Sequence, residues 1–347
     1  MNELISIIVP NRNGSATIGK CLEAIYGSAY EPYEVIVVDD CSQDGSVQII
    51  ESYPCKVVRL YEPQGASRAR NVGASHSHGS ILFFTDADCL IQENTLTEVM
   101  ETMKDRPQER IVGGTYTRLS HDRSFFGDFQ SLFIHDAETK NPENPDYVAA
   151  HAMAIGARTF KESGGFREDF LPILEDVEFS HRMRRAGARL SMNPAILVEH
   201  IFSFSLLSSL RNGMRKSFYW TIYSLGNRDL LADSGTASLG LKTSLLSLVV
   251  IVLLLLGRLW SGTSLYLYSA VIPLGVNLFL NRQLFRFFYE ARGKAFMFAA
   301  ILYYTTLYPI AAGAGALAGT VRFFRDDTGR TERTRGSKKT VPFELIR

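Results

Sequence analysis

The amino-acid sequence predicts an α/β domain with a mostly parallel sheet, followed by C-terminal transmembrane helices. Three observations predict it. Short apolar runs rich in β-formers alternate with helical patterns through the first ninety residues, the order that builds βαβ units. These runs end in Pro, Asp-Asp or Asp-x-Asp, and ligands of open α/β sheets bind outside the carboxyl ends of the strands. From about residue 235 the chain changes to long apolar blocks with few charges. A length of 347 residues suits about two domains.

Ile5–Pro10 is a compact apolar run closed by proline, a buried strand. Asn11-Arg12-Asn13-Gly14-Ser15 reads as a turn into a helix with Ile18, Leu22 and Ile25 on one face. Tyr33–Val38 is the second strand, ending in Asp39-Asp40-Cys41-Ser42. A helix over 46–52, a strand over 56–60 and a loop entering a helix over 65–75 follow. Ser80–Thr85 is the fourth strand. It runs straight into Asp86-Ala87-Asp88, and adjacent buried anions repel and cost desolvation. A divalent cation turns that cost into a gain, and Mg²⁺ or Mn²⁺ favours such oxygen ligands. The competing reading is an acidic turn with Asp88 near a helix N-cap.

Net charge is +1, so no global field argues for nucleic acid. Cys21, Cys41, Cys55 and Cys89 show neither metal-ligand spacing nor scaffold density, as isolated thiols in a reducing compartment would. No secretory signal is evident at the start of the sequence, which predicts a cytoplasmic first domain. The first strand-to-helix turn lacks the Gly-x-Gly-x-x-Gly of dinucleotide-binding domains, and there is no P-loop. Phosphates therefore need a holder other than a glycine cradle, and a cation on the Asp pair is the available one.

The segments Ile7–Asn13, Val37–Gly45, Gly65–Gly73, Phe84–Asp88, Gly164–Phe166 and Glu175–Gly187 occur in the order, and over the 200-residue reach, of one family. The chain resembles a nucleotide-sugar glycosyltransferase of family 2, with the Rossmann-like GT-A fold. The resemblance implies roles position by position. Pro10 and Asn11 line the base and ribose pocket. Asp39 accepts the N–H edge of a uracil-type base, with Asp40 beside it. Arg70 and Asn71 approach the donor. Asp86 and Asp88 form the metal motif for Mg²⁺ or Mn²⁺, with Asp88 the more direct ligand. Asp176, next to Glu175, is the general base that deprotonates an acceptor hydroxyl for an inverting displacement. Acids in the first turn of a helix also favour its dipole, which is the purely structural account of both.

His200 sits where several relatives hold the metal with a histidine, and equally where a strand ends at a sheet edge. His151 departs from the family's usual Gly or Asn near the acceptor. The Gln-x-x-Arg-Trp signature of processive synthases is missing from the segment Met214–Trp220, which favours transfer of a single sugar. Leu119–Tyr147 reads as a long polar loop shaping the acceptor site. The resemblance and the apolar C-terminal blocks together imply a membrane-associated acceptor, a lipid or lipid-linked glycan. Two other readings stay open: a polyprenyl-phosphate sugar synthase, and a catalytically silent membrane scaffold.

The organisation expected is a GT-A domain over residues 1–200, interfacial amphipathic helices over 201–237, and transmembrane helices over 238–321. The spans fall at about 239–257, 263–280 and 296–321, with a basic, irregular tail over 322–347. Arg282, Arg286, Arg292 and Lys294 put the loop between the last two spans on the cytoplasmic side with the enzyme domain. The arginines of the tail argue for that same side, against a third full span.

Overall fold

A computed structural model describes residues 3–104 and 110–336. The strands are β1 (Ile5–Asn11), β2 (Tyr33–Asp40), β3 (Lys56–Leu60), β4 (Ile81–Phe84), β5 (Cys89–Ile91), β6 (Arg110–Tyr116), β7 (Met153–Gly156) and β8 (Arg189–His200). They form one sheet in the order β3-β2-β1-β4-β7-β6-β8-β5. The first four strands are parallel, and β7 then runs antiparallel to both β4 and β6. The helices of this part are α1 (Ile18–Tyr26), α2 (Ser46–Glu51), α3 (Ala66–Ser75), α4 (Thr95–Met103), α5 (Phe125–Thr139), α6 (Ala157–Glu162) and α7 (Glu175–Arg185).

Strand alternation divides the core between the two faces. Ile5, Ile7 and Val9 pack with Ile18, Leu22 and Ile25 of α1 on one side, whereas Ile8, Leu82 and Phe84 meet Phe160, Phe166 and Phe179 on the other. Because β1, β2 and β4 are in parallel register, Asn11, Asp39 and the residues after Phe84 emerge at one edge. Asp88 precedes the short strand β5, not a helix, so the N-cap reading of that acid fails.

Residues 119–147 are not an open loop. They contain α5, whose Phe129, Leu132 and Phe133 pack against Phe288, Tyr304 and Tyr308 of the C-terminal helices. The polar residues interleaved among these aromatics hide the helical pattern, and tertiary partners satisfy them: Asp128 meets Ser120 and Arg292, and Glu138 meets Thr115.

The C-terminal helices are α8 (Leu206–Asn227), α9 (Leu239–Ser261), α10 (Leu265–Ser269), α11 (Val271–Leu280), α12 (Arg282–Thr305) and α13 (Leu307–Gly336). Two helical stretches, Leu239–Ser261 and Arg282–Arg325, are long and apolar enough to cross a membrane. The expected span over 263–280 is not one helix. It divides at Ala270, and Pro273 suits the first turn of the new helix rather than the interior of a longer one. Its 16 residues reach roughly 24 Å at 1.5 Å per residue, short of the roughly 30 Å hydrocarbon layer. Ser244, Asn277, Asn281 and Tyr304 tie α9, α11 and α12 together through buried hydrogen bonds of 2.7–3.0 Å. Beyond residue 321 the sequence predicts an irregular tail, yet α13 continues to Gly336, since arginine and glutamate extend a helix already nucleated. Residues 337–347 of that tail lie outside the described residues.

The expected interfacial segment is one helix, α8, pressed against α13. A Cβ at Gly315 would stand 2.1 Å from the Met214 carbonyl oxygen, and one at Gly319 2.5 Å from that of Phe218. Small residues at such crossings let two backbones approach. Gly315→Val is therefore expected to lower stability by about 1–3 kcal/mol through overpacking. Gly275→Ala, where nothing lies within 4 Å, should change it little. Thermal unfolding midpoints of the two variants in detergent check this.

Candidate active site

At the tip of β1, buried Asn11 donates from Nδ2 to Asp39 Oδ1 at 2.8 Å and to Ser42 Oγ at 3.2 Å. Asp39, 3 % exposed, also accepts from the Ser42 backbone N–H at 3.0 Å and from Ser42 Oγ at 2.5 Å. A carboxylate offers about four acceptor positions, so one is left unused. Gly14 is required beside this group, because a Cβ there would come 2.3 Å from Asn11 Oδ1. Half-buried Pro10 precedes Asn11 in the same strand. Ser42, which has no role in the sequence reading, is the strut of the corner.

Two residues expected on the donor are occupied otherwise. Asp40 accepts from the backbone N–H groups of Gln64 and Gly65, at 2.6 and 2.9 Å, and so fixes the approach to α3. Asn71 donates to the Phe166 carbonyl at 2.8 Å and accepts from its N–H at 2.9 Å. It thereby clamps the Gly164-Gly165 turn, where both glycines take positive φ.

Arg70 is the electrostatic centre. It is 4 % exposed, with Nη2 2.7 Å from Asp86 Oδ1 and Nη1 2.5 Å from Glu175 Oε1. Burial works against its charge, but Asp86 and Glu175 outweigh this and hold the guanidinium more firmly protonated than usual. Burial alone would raise Asp86, and Arg70 instead keeps it below the ordinary carboxylate range. Asp86 is thus committed to Arg70, and the gathered metal-ligating atoms belong to Asp88, Cys89 and His200.

Asp88 Oδ2 lies 3.5 Å from His200 Nε2, with 42 % of the Asp88 side chain still open. Its position in the cleft and the neighbouring Asp86 push its pKa up to about 7. Burial pushes His200 down to about 3, which keeps the imidazole neutral. The ring stacks on Phe202 at 3.9 Å, and Nδ1 has no hydrogen-bond partner among the described residues. Burial holds the Cys89 thiol protonated. Tyr116 lies edge-on to His200 and stacks on His151 at 4.1 Å. His151 Nε2 is 3.5 Å from Glu138 Oε2. Burial opposes the charge on His151, but Glu138, Asp86 and Asp176 together raise its pKa. Tyr116 and Glu138 carry no signal in the sequence, and His151 becomes central only through the fold.

Asp176 is the second residue of α7, whose N-cap Leu174 lies in the left-handed region at φ 75°. Its oxygens accept from the Ala150 and Val177 N–H groups at 3.0 and 2.8 Å. Burial and then Glu175 push its pKa up to about 6, which leaves a carboxylate able to take a proton near neutral pH.

The C-terminal helices reach this region through Arg292. It donates to the fully buried Asp128 at 2.5 Å and to the Arg123 carbonyl at 2.8 Å. The same loop returns the His121 N–H to the His200 carbonyl at 3.0 Å.

Residues 6–163 match the model of the family described as Glycosyl transferase family 2. The N-terminal domain belongs to that family. Among curated relatives of this glycosyltransferase domain, "Glycosyltransferase GlyG" of Streptococcus pneumoniae is 28 % identical over 131 residues, 36 % of this chain and 44 % of the relative. "Putative teichuronic acid biosynthesis glycosyltransferase TuaG" of Bacillus subtilis is 32 % identical over 141 residues, 39 % of this chain and 54 % of the relative. The matched segment thus spans about half of these relatives' lengths. The fold is similar to that of the "Mannosyltransferase PcManGT from Pyrobaculum calidifontis in complex with GDP-Man and Mn2+". That match has a TM-score of 0.57 at 18 % identity, over 94 % of this chain and 88 % of the neighbour.

The residues of this glycosyltransferase domain suit a divalent cation. Asp88 brings an oxygen and His200 a neutral ring nitrogen to one point, and an acid raised by its surroundings regains its charge beside a cation. The Cys89 thiol gathered with them is a soft ligand, which suits Mg²⁺ or Mn²⁺ less well than oxygen does.

Proposed function

We propose that this protein is an inverting glycosyltransferase that moves a single sugar from a nucleotide-diphospho-sugar, of the UDP type, to a membrane-associated acceptor. The acceptor is a lipid or lipid-linked glycan, and the cofactor is Mg²⁺ or Mn²⁺. The observation that carries this reading is the pairing of a cation-suited corner, Asp88 with His200, and a carboxylate tuned near neutrality, Asp176. Both lie within electrostatic reach of His151.

Asn11 and Asp39 form the floor for the base and ribose, and Pro10 flanks them. Asp88 and His200 would hold the cation, which would supply charge stabilisation for the departing diphosphate. Arg70 fixes Asp86 and Glu175, so that the Asp176 backbone is held beside them. Asp176 takes the proton of the acceptor hydroxyl while its oxygen bonds to the anomeric carbon. The bond from that carbon to the diphosphate breaks in the same displacement, which inverts the configuration. The missing Gln-x-x-Arg-Trp supports a single transfer. The two long apolar helices support a membrane anchor, with the domain of residues 1–200 at the cytoplasmic face.

A donor panel tests the reading. Purified full-length protein should release UDP from a UDP-sugar with Mn²⁺ or Mg²⁺ present and stop with EDTA, and Asp88→Ala should stop it equally. Release of GDP or dTDP alone would overturn the donor assignment. Metal-independent release, or none across the panel, would overturn the reading itself.

A further inference from the structure

We propose that the cleft beneath α8 binds the acceptor as a lipid phosphate, its hydrocarbon chain between the helices and its phosphate on Lys216. The proposal rests on the reading of Asp176 as the base.

A partly open cleft of about 80 Å³ lies among α8, α9 and α13, and Trp220, Thr221, Leu241, Leu245, Ala312 and Ala316 are among its walls. Two of its three sides come from the helices long and apolar enough to cross a membrane. Such walls favour an occupant that already resides in a bilayer, and an apolar chain gains there by leaving water. A soluble sugar acceptor would find few hydrogen-bond partners on that lining.

One wall of the cleft packs against the start of α7. Trp220 packs with Leu174 and Val177, the residues that flank Glu175 and Asp176. Its ring centroid lies 5.9 Å from that of Tyr147, two residues before Ala149 and the Ala150 N–H that holds Asp176. Lys216 stands one helical turn before Trp220 on the same face of α8. Its ammonium is within electrostatic reach of Asp176 and Glu138, and His200 in turn feels its charge. Burial weakens its hold on the proton while Glu138 and Asp176 support it. Among the described residues Lys216 makes no hydrogen bond or ion pair, which leaves a half-buried cation without a touching anion. Lys242, the cation that lines the cleft itself, is already bonded to the Ala232 carbonyl.

A phosphate completes this arrangement, because a charge-assisted bond to a partly desolvated ammonium is among the stronger single contacts. The phosphate does not react. It anchors the lipid so that a hydroxyl of the sugar it carries reaches Asp176. There the hydroxyl proton passes to Asp176, the oxygen bonds to the anomeric carbon, and the donor's C–O electron pair leaves on the nucleoside diphosphate.

The test uses full-length protein in nanodiscs, with farnesyl phosphate, farnesol and inorganic phosphate as probes. Farnesyl phosphate should bind at least about tenfold more tightly than either part alone. Lys216→Gln should erase the preference for the phosphate over the alcohol, and Lys216→Arg should keep it. Ala316→Phe, which fills the cleft, should weaken both lipids. Equal binding of farnesyl phosphate and farnesol to the wild-type protein would overturn the proposal. So would a Lys216→Gln variant that weakens binding of the nucleoside diphosphate instead, because that puts Lys216 on the donor. A failed donor panel with intact phosphate-selective lipid binding would sink the transferase reading alone. A successful panel without such binding would sink this proposal alone.

Discussion

Asp176→Asn should lower sugar transfer by roughly 10²–10⁴-fold, the usual contribution of a positioned general base, and leave binding of the nucleoside diphosphate nearly intact. The substitution keeps size and shape, so the effect isolates the lost proton acceptor. It breaks one of two backbone hydrogen bonds, because the amide nitrogen cannot accept from the Ala150 or Val177 N–H. That loss of about 1 kcal/mol is offset by removing a buried anion beside Glu175, so the thermal midpoint should move little. The pH profile gives a second reading. A base works deprotonated, and Asp176 is pushed up to about 6. Transfer should therefore rise with pH through about 6 and level above it. An Asp176→Asn enzyme that transfers at the wild-type rate would remove Asp176 from the chemistry. It would also favour an acceptor that needs no base, such as a bare lipid phosphate.

Much of this arrangement was legible in the sequence because it is local. Strands β1 to β4 are short apolar runs between turn residues, and Asn11, Asp39 and Asp88 follow directly from where those runs stop. What was not legible is long-range pairing. Asp40 and Asn71 sit in family motifs, yet Asp40 binds the loop 24 residues on, and Asn71 a turn 95 residues away. No local pattern reports such partners. Helix α5 was hidden for a related reason. Its polar positions look solvent-facing until Ser120, Thr115 and Arg292 arrive from elsewhere to satisfy Asp128 and Glu138. The apolar blocks announced long apolar helices, but not that a break at Ala270 leaves the middle one too short to be a single span. Lys216 lay in a segment read as interfacial and lacking the processive signature, and its proximity to Asp176 comes from the packing of α8.

Arg70→Met should be the most damaging single change to the folded state. Arg70 bridges Asp86 and Glu175 from 16 and 105 residues away, with both guanidinium nitrogens inside 2.7 Å of a carboxylate. Removing a buried cation leaves two anions facing each other in the same cleft, beside Asp88 and Asp176. Breaking such a pair costs on the order of 3–5 kcal/mol. Arg70→Lys should recover only part of it, because a point charge on a flexible stem cannot grip two carboxylates in fixed directions as a planar fork does. The pH dependence has a definite sign. Asp86 is held below its ordinary pKa in the folded protein, so its ion pair adds stability above the unfolded value and loses it as pH falls toward the folded one. The gap between wild type and Arg70→Met should therefore be widest near neutrality and narrow in acid, when Asp86 accepts a proton. Chemical denaturation of both proteins at pH 7 and pH 4 measures this, and a gap that widens in acid would contradict the role assigned to Arg70. The same variant should lose donor turnover even where it remains folded, since Glu175 and Asp86 would no longer hold α3 and the start of α7 in register around Asp176.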